Sequence, residues 1–159
     1  MMRKRTAARR ALEFATLDQV MPDVDRLMER GYTSVGKWTL GQACNHLAKA
    51  LAASVDGYPM KKAAWVLRKT IAPFFLNRLL KTGVMPEGLK GPEFLMPKPG
   101  LDDRAEVEAL RAALGLFAHH NGPMAEHPFF GMLSRDREER FHCIHCAHHL
   151  SFMLPKTSA

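Results

Sequence analysis

Histidines and cysteines are concentrated in the segment Phe141–Phe152, which reads FHCIHCAHHLSF. It holds four of the eight histidines and two of the three cysteines of the chain. On an α-helix, which turns about 100° per residue, His145 and His149 lie one turn apart on the same face. His142 projects between them, about a turn below, and His148 points toward the flank. Two imidazoles at positions i and i+4 can bind one metal ion, as in helical zinc sites, so the spacing predicts two ligands of a metal site.

A catalytic site of the zinc type generally needs a third protein ligand and one open position. His46 is the first choice because it lies at the edge of the apolar stripe of another predicted helix. A carboxylate would also serve, and a lone histidine at such a position is commonly a boundary residue. The predicted ligands of one divalent ion are therefore His46, His145 and His149. Zinc, nickel, iron, manganese and copper all stay open, and the alternative is a histidine-rich helix without a metal.

Three further side chains are candidates for catalytic roles. Glu138 stands seven residues before His145 on the same side of the helix, and could orient a ligand or act as a general base. His142 is a reserve ligand or a proton shuttle. His127 lies in the connector His127-Pro128-Phe129-Phe130-Gly131, which could place a side chain in the mouth of the site. The alternative for this connector is plain packing of Phe129 and Phe130.

Cys143 and Cys146 form a C-x-x-C pair, which can indicate a redox motif or a zinc ribbon. The chain has no second such pair. A redox pair would also need a helix N-terminus to lower its thiol pKa, whereas these residues lie within a helix. We therefore predict that Cys143 packs in the core and that Cys146 is a small residue beside the metal. Three cysteines do not make a disulfide framework, and reduced thiols fit a cytosolic protein.

Helix signals along the chain predict the elements that position these residues. Thr16–Gln19 and Thr39–Gln42 have the form of capping boxes, and apolar residues at helical spacing follow each of them. Pro22 falls inside the first pattern, so that helix either kinks or begins there. A third element covers residues 60–82 and is broken at Pro73, and a long loop covers residues 83–101. A fourth helix covers residues 102–122, and the last helix runs from Ser134 to Pro155.

The predicted fold is an all-α antiparallel four-helix bundle, with a broken third element and a long loop before the fourth helix. No strand alternation is evident. The core candidates of the third element are its large apolar residues: Trp65, Val66, Ile71, Phe74, Phe75, Leu79 and Leu80. We expect residues 13–155 to form a single domain between a flexible basic arm, residues 1–12, and a tail, residues 156–159.

The chain of 159 residues has a net charge of +7, and 47% of its residues are hydrophobic, as is ordinary for a globular protein. No apolar run approaches the ~20 residues of a membrane span. The N-terminus does not read as a signal peptide, so we expect a cytoplasmic protein.

Between Asp56 and Glu87 the chain has no acid but six bases: Lys61, Lys62, Arg68, Lys69, Arg78 and Lys81. This stretch could attract nucleic acid, lipid headgroups or an anionic small molecule; the favoured alternative is a core helix with a solvated basic face.

Several motifs resemble those of the DinB-like superfamily. Trp38-Thr39-Leu40-Gly41-Gln42-Ala43-Cys44-Asn45-His46-Leu47 is similar to its W-[ST]-x-x-Q-x-x-x-H-L helix start, and His145–His149 to its later H-x-x-x-H helix. The connector at 127–134 and the segment 148–152 are similar to the branch known as domain of unknown function 1569. The resemblance covers roughly residues 10–155. It implies a four-helix bundle with a divalent metal held by three histidines, which correspond to His46, His145 and His149.

Some members of the superfamily are metal-dependent transferases or isomerases that use a low-molecular-weight thiol. The leading hypothesis is therefore a metal-binding bundle that acts as a thiol transferase or hydrolase on a small molecule, with an anionic thiol as the candidate substrate. The first alternative is a non-catalytic metal- or ligand-binding stress-response protein. The second is an electrostatic binder of nucleic acid or a membrane surface, which the sequence does not favour. A homodimer is compatible with each hypothesis.

Overall fold

The computed structural model describes residues 8–157, and most of these residues are helical. The six α-helices among them are α1 (Val20–Arg30), α2 (Leu40–Asp56), α3 (Trp65–Lys69), α4 (Ile71–Thr82), α5 (Asp103–His119) and α6 (Arg135–Leu150). Two strands, β1 (Tyr32–Ser34) and β2 (Met153–Pro155), form one small sheet. Short 3₁₀ turns cover Leu17–Gln19 and Glu93–Leu95. Within residues 8–157, no helix has the length and apolar character that crossing a membrane requires.

The capping box at Thr39 locates the start of α2, whereas the box at Thr16 opens the 3₁₀ turn Leu17–Gln19 that precedes α1. At α2, the Thr39 hydroxyl accepts a hydrogen bond from the Gln42 amide at 3.2 Å, and the Gln42 side chain accepts one from the Thr39 amide at 3.0 Å. These reciprocal bonds satisfy amides that have no partner within the helix, so the predicted start of α2 is confirmed. Helix α1 begins at Val20, which places Pro22 in its first turn, where a missing amide hydrogen does no harm.

The main core is built from α1, α2, α5 and α6. Val24 of α1, Leu47 of α2, Leu110 of α5 and Leu150 of α6 are all buried in this one cluster. Helix α4 lies outside it and packs on α6 through a second, smaller cluster that contains Leu76, Leu79 and Ile144. The predicted helical class is thus confirmed, whereas the assignment as a four-helix bundle stays a prediction.

The predicted core of the third element is wrong for four of its residues. Trp65, Val66, Ile71 and Phe74 are exposed over 70%, 62%, 62% and 73% of their surface. The break between α3 and α4 falls at Thr70, and Pro73 lies in the first turn of α4. Composition alone cannot show which face of a helix is covered. Here the inner face of α4 is formed by Ala72, Leu76 and Leu79.

The sheet was not predicted. Strands β1 and β2 pair antiparallel, with Tyr32 opposite Pro155 and Ser34 opposite Met153. Strands of three residues are too short to show an alternating pattern, and the pairing joins segments far apart in the sequence. The last helix therefore ends at Leu150 rather than at Pro155.

Both ends of the described chain contact the helices. In the predicted arm 1–12, Arg10 pairs with Asp23 of α1, and its amide donates to the Ser151 carbonyl at 3.0 Å. In the predicted tail, the Lys156 amide donates to the Gly31 carbonyl at 3.0 Å. The remainder of the arm, residues 1–7, and residues 158–159 of the tail lie outside the described residues.

Candidate metal centre

His46 is held in place by the long segment between α4 and α5. It lies on α2, and only 4% of its surface is exposed. Its Nδ1 atom is 2.9 Å from the backbone carbonyl oxygen of Leu95. Because a carbonyl can only accept a hydrogen bond, Nδ1 carries the proton and donates it. The Nε2 atom of His46 therefore has a free lone pair, as a metal ligand requires.

The ring nitrogens of His46, His145 and His149 converge on one point. The Nε2 atoms of His46 and His145 are 2.9 Å apart, although the two residues are separated by 99 positions in the sequence. One ligand nitrogen from each of the three histidines lies within 4.8 Å of the other two. The ring centroids are 4.5 to 4.9 Å apart. The fold thus brings together the three residues that were predicted as ligands.

Burial lowers the pKa of all three imidazoles. Loss of solvent is the main cause for each: it lowers the pKa of His46, lowers that of His149 to about 2, and holds that of His145 well below its ordinary value. The neighbouring imidazoles lower the pKa of His145 and His149 further. All three rings are therefore neutral at pH 7, and metal ions bind the neutral form.

The cluster fits a metal ion by the chemistry of its donors. Nε2 of His46, which carries a lone pair, lies 2.9 Å from Nε2 of His145, and a ring nitrogen of His149 lies within 4.8 Å of the ligand nitrogens of both. A divalent cation would satisfy these three nitrogens together. Three imidazoles are a known ligand set for zinc, with further positions left for water or substrate. The Nδ1 atom of His145 is buried and has no partner among the described residues, so this ring lacks the outer hydrogen bond that usually orients a ligand histidine.

Aromatic side chains and a loop enclose the cluster. Trp38, which precedes α2, stacks on His149 at 5.0 Å between ring centroids and also contacts His46 at 5.0 Å. Phe141 contacts His145 from within α6, at 5.8 Å. Sequence reasoning did not assign Trp38 or Leu95 to the site. A signal existed for Trp38, which opens the motif that ends in His46, but a backbone carbonyl such as that of Leu95 leaves no trace in the sequence.

Glu138 and His142 lie together on α6, about two turns and about one turn before His145, respectively. Both are buried, and Nε2 of His142 is 3.6 Å from a carboxyl oxygen of Glu138, too far for a good hydrogen bond. These atoms have no hydrogen-bond partner among the described residues. Burial raises the pKa of Glu138 to about 7 and lowers that of His142 to about 3. The His142 ring contacts Phe117 and Phe141. The pair is thus a separate buried polar unit beside the three histidines.

His127 occupies a tight turn outside the cluster. Its Nδ1 atom accepts hydrogen bonds from the backbone amides of Phe129 and Phe130, at 3.1 and 3.2 Å. Its ring stacks on Phe130 and contacts Tyr58. Burial lowers its pKa to about 4. In this structure, His127 therefore shapes the connector.

The cysteines are buried and free. Cys143 lies in the main core as predicted, and Cys44 and Cys146 lie in the same cluster. Burial raises the pKa of all three thiols, that of Cys143 to about 11 and that of Cys44 to about 12. Thiolates are disfavoured there, which argues against a redox motif.

His148 lies on the flank as predicted, where its Nδ1 atom is 3.3 Å from a guanidinium nitrogen of Arg9.

The fold and the site together define a mostly helical protein with a buried cluster of three histidines that could hold a metal ion. The chain belongs to the family described as protein of unknown function (DUF1569), whose family model matches residues 6–156. Membership of the domain of unknown function 1569 family is therefore confirmed, whereas the DinB-like superfamily placement stays a prediction. Neither the curated proteins nor the solved structures gave a match to the chain.

Proposed function

We propose that this protein is a DinB-like four-helix bundle that binds one divalent metal ion through His46, His145 and His149. The observation that carries the proposal is the convergence of three neutral ring nitrogens within 4.8 Å. Two of these nitrogens belong to residues 99 positions apart, so the cluster is a product of the fold and not of a local histidine-rich sequence.

We propose further that the metal serves the transfer of a small thiol to an electrophile. When bound, a divalent ion with three protein ligands supplies a Lewis acid that can polarise an oxygen or stabilise a thiolate. In the transfer a carbon–sulfur bond forms, the bond from that carbon to the leaving group breaks, and the leaving group takes the electron pair. The thiol proton must go to a base. Lys49, whose charge lowers the pKa of His46, favours an anionic thiol.

In this proposal Glu138 and His142 hold or move the proton. A carboxyl group with a pKa of about 7 gains and loses a proton at physiological pH, as a general acid or base needs. Nε2 of His142 lies 3.6 Å from a Glu138 carboxyl oxygen and has no hydrogen-bond partner among the described residues. His127 contacts Phe141, which in turn contacts His145, so its part is to position the wall of the site.

A second candidate is a metal-binding protein without catalysis. The observation that favours it is the enclosure of the cluster: His46 and His145 are only 4% and 7% exposed, and Trp38 stacks on His149. A substrate would have to displace this cover to reach the metal. The two candidates share the ligand set and differ in whether the metal accepts an external ligand.

The ligand assignment is tested by removing one histidine at a time. We expect His46→Ala and His145→Ala to weaken zinc or nickel binding to a similar degree, at least ~10–100-fold, since even an outer-shell change has that effect. Bound metal should also raise the melting temperature of the wild type, because it binds only the folded chain. Competition titration measures the affinity, and circular dichroism of the metal-free variants checks their folding.

His119→Ala is the matched control. His119 ends α5, where its Nδ1 atom lies 2.8 Å from the Gly115 carbonyl, and it should leave metal affinity unchanged. If His46→Ala and His119→Ala both bind metal as the wild type does, the three-histidine site is wrong.

Catalysis is tested by incubating metal-loaded protein with a panel of small cellular thiols and a chromogenic electrophile. We expect a metal-dependent rate with an anionic thiol, and loss of that rate but not of metal binding in Glu138→Gln. Normal metal binding without any rate above background across the panel would reject the transferase and leave the binding protein.

A further inference from the structure

Helices α3 and α4 present an apolar face that no described residue covers. Trp65, Val66, Ile71 and Phe74 are each more than 60% exposed. Isolated exposed apolar residues are normal, but four within ten positions, including two large aromatics, indicate a contact surface. We call these four residues the α3–α4 face.

The α3–α4 face is held in place by contacts on the other side of α4 and around α3. Leu76 and Leu79 of α4 are buried with Ile144 of α6, and Phe75 stacks on Phe130 with centroids 6.4 Å apart. Arg68 forms an ion pair with Glu126, and the Ala63 amide donates to the Pro128 carbonyl. The exposure of the α3–α4 face therefore belongs to a docked element. On α4, Ile71, Phe74, Arg78 and Lys81 follow helical spacing along the outer side.

Basic residues flank the four residues of the α3–α4 face along the chain. Lys61, Lys69, Arg78 and Lys81 are exposed, and none of them forms an ion pair within residues 8–157. The chain has no acid between Asp56 and Glu87. A second copy of the chain would bring the same charges to the same place, so self-association through this face is opposed by repulsion. An anionic partner is favoured.

We propose that the α3–α4 face docks the protein on an anionic lipid surface. A tryptophan, a phenylalanine and two aliphatic side chains can enter the boundary between headgroups and acyl chains, where aromatic residues are enriched. The neighbouring lysines and Arg78 stay among the acidic headgroups and attract them. Nucleic acid would satisfy the charges but leave Val66 and Ile71 without an apolar partner. The membrane fits both properties of the surface.

Trp65 provides a direct measurement of docking. The chain has two tryptophans, and the other, Trp38, is half-buried against His149. We expect the emission of the full-length protein to shift to the blue on addition of phosphatidylglycerol vesicles at low salt, and not with phosphatidylcholine vesicles. Trp65→Phe should bind the anionic vesicles in a sedimentation assay without this shift. Raising the salt concentration should release the protein.

Two matched pairs of variants separate the apolar and ionic contributions. Phe74→Ser should lower partitioning on the order of tenfold, whereas Leu116→Ser, at an exposed leucine of α5, should not. Lys69→Glu should weaken binding at low salt, and Arg104→Glu, at an exposed arginine of α5, should do so far less. Circular dichroism checks that each variant is folded.

Several outcomes would overturn the proposal. These are no partitioning into anionic vesicles, equal partitioning into neutral ones, or equal effects of Phe74→Ser and Leu116→Ser. A concentration-dependent dimer that Phe74→Ser disrupts, without vesicle binding, would assign the face to a second copy. Salt-dependent DNA binding that Phe74→Ser leaves intact would assign the charges to nucleic acid.

Discussion

Glu138 is a carboxyl group with no exposed surface and no hydrogen-bond partner among the described residues. Burial disfavours its charged form and raises its pKa from 4.5 to about 7. The nearby His142 responds in the opposite direction, since burial lowers its pKa to about 3. Both groups therefore favour the neutral form inside the protein. An isolated pair of this kind does not add stability at neutral pH, and so it points to a functional role.

Replacement of Glu138 by glutamine should change the pH dependence of stability. The folded protein keeps the Glu138 proton up to a pH of about 7, whereas the unfolded chain releases it near pH 4.5. Deprotonation therefore favours the unfolded chain, and the free energy of unfolding of the wild type falls as the pH rises from 4.5 to about 7. Between pH 4.5 and pH 8, Glu138→Gln should gain about 3 kcal/mol in unfolding free energy relative to the wild type. Urea unfolding at several pH values measures the difference.

The control for this measurement is Glu29→Gln, at an exposed acid of α1. The difference in unfolding free energy between Glu29→Gln and the wild type should change little over the same pH range. A flat difference for Glu138→Gln as well would mean that Glu138 is not held in its neutral form.

At the scale of elements, α2 and α5 are in close contact where Gly41 meets Asp103. The Gly41 amide donates to Asp103 Oδ1 at 2.7 Å, and Tyr32 donates its hydroxyl hydrogen to Oδ2 at 2.7 Å. Tyr32 in turn accepts a hydrogen bond from the Leu40 amide at 2.9 Å. One carboxylate of α5 thus fixes the start of α2, and with it the direction in which α2 carries His46 to the cluster.

A methyl group at position 41 would have no room. A Cβ atom on Gly41 would lie 2.8 Å from Asp103 Oδ1 and 3.1 Å from the Asp103 Cα atom. Gly41→Ala should therefore destabilise the protein by about 1–3 kcal/mol, despite the better helix propensity of alanine. Thermal or urea unfolding provides the measurement.

Gly115→Ala is the matched control, because Gly115 also lies within a helix and a Cβ atom there would meet nothing within 4 Å. This change should stabilise the protein by up to about 1 kcal/mol. Equal effects at the two glycines would contradict the close packing of α2 on α5.

At the scale of the molecule, the histidine cluster and the α3–α4 face are built by different parts of the fold. The cluster lies between α2 and α6, which share the main core. The face lies on α3 and α4, which are attached through the smaller core. Helix α6 takes part in both, since Ile144 of the smaller core is adjacent to His145 in the sequence. The metal proposal and the membrane proposal can therefore fail independently.

Much of the arrangement was determined by the sequence alone. The capping residues and glycines gave α2 from its start to its end, because these signals act through hydrogen bonds between near neighbours. The spacing of His145 and His149 put them on one face of α6 for the same local reason. His46 was selected from its place beside an apolar stripe and from its resemblance to a family motif, and the fold brings it to 2.9 Å from His145.

Only the tertiary structure decided which surfaces are covered. Trp65 and Phe74 are large apolar side chains of the kind that usually lie in a core. In the structure, α4 buries Leu76 and Leu79 instead, whereas Trp65 on α3 and Phe74 on α4 are exposed. Glu138 and His142 are titratable groups whose pKa values depend on neighbours that fold over them. The carbonyl of Leu95 fixes His46 across 49 positions of the chain. Local spacing defines the faces of an element, but burial depends on the partner that packs against each face, and that partner comes from elsewhere in the chain.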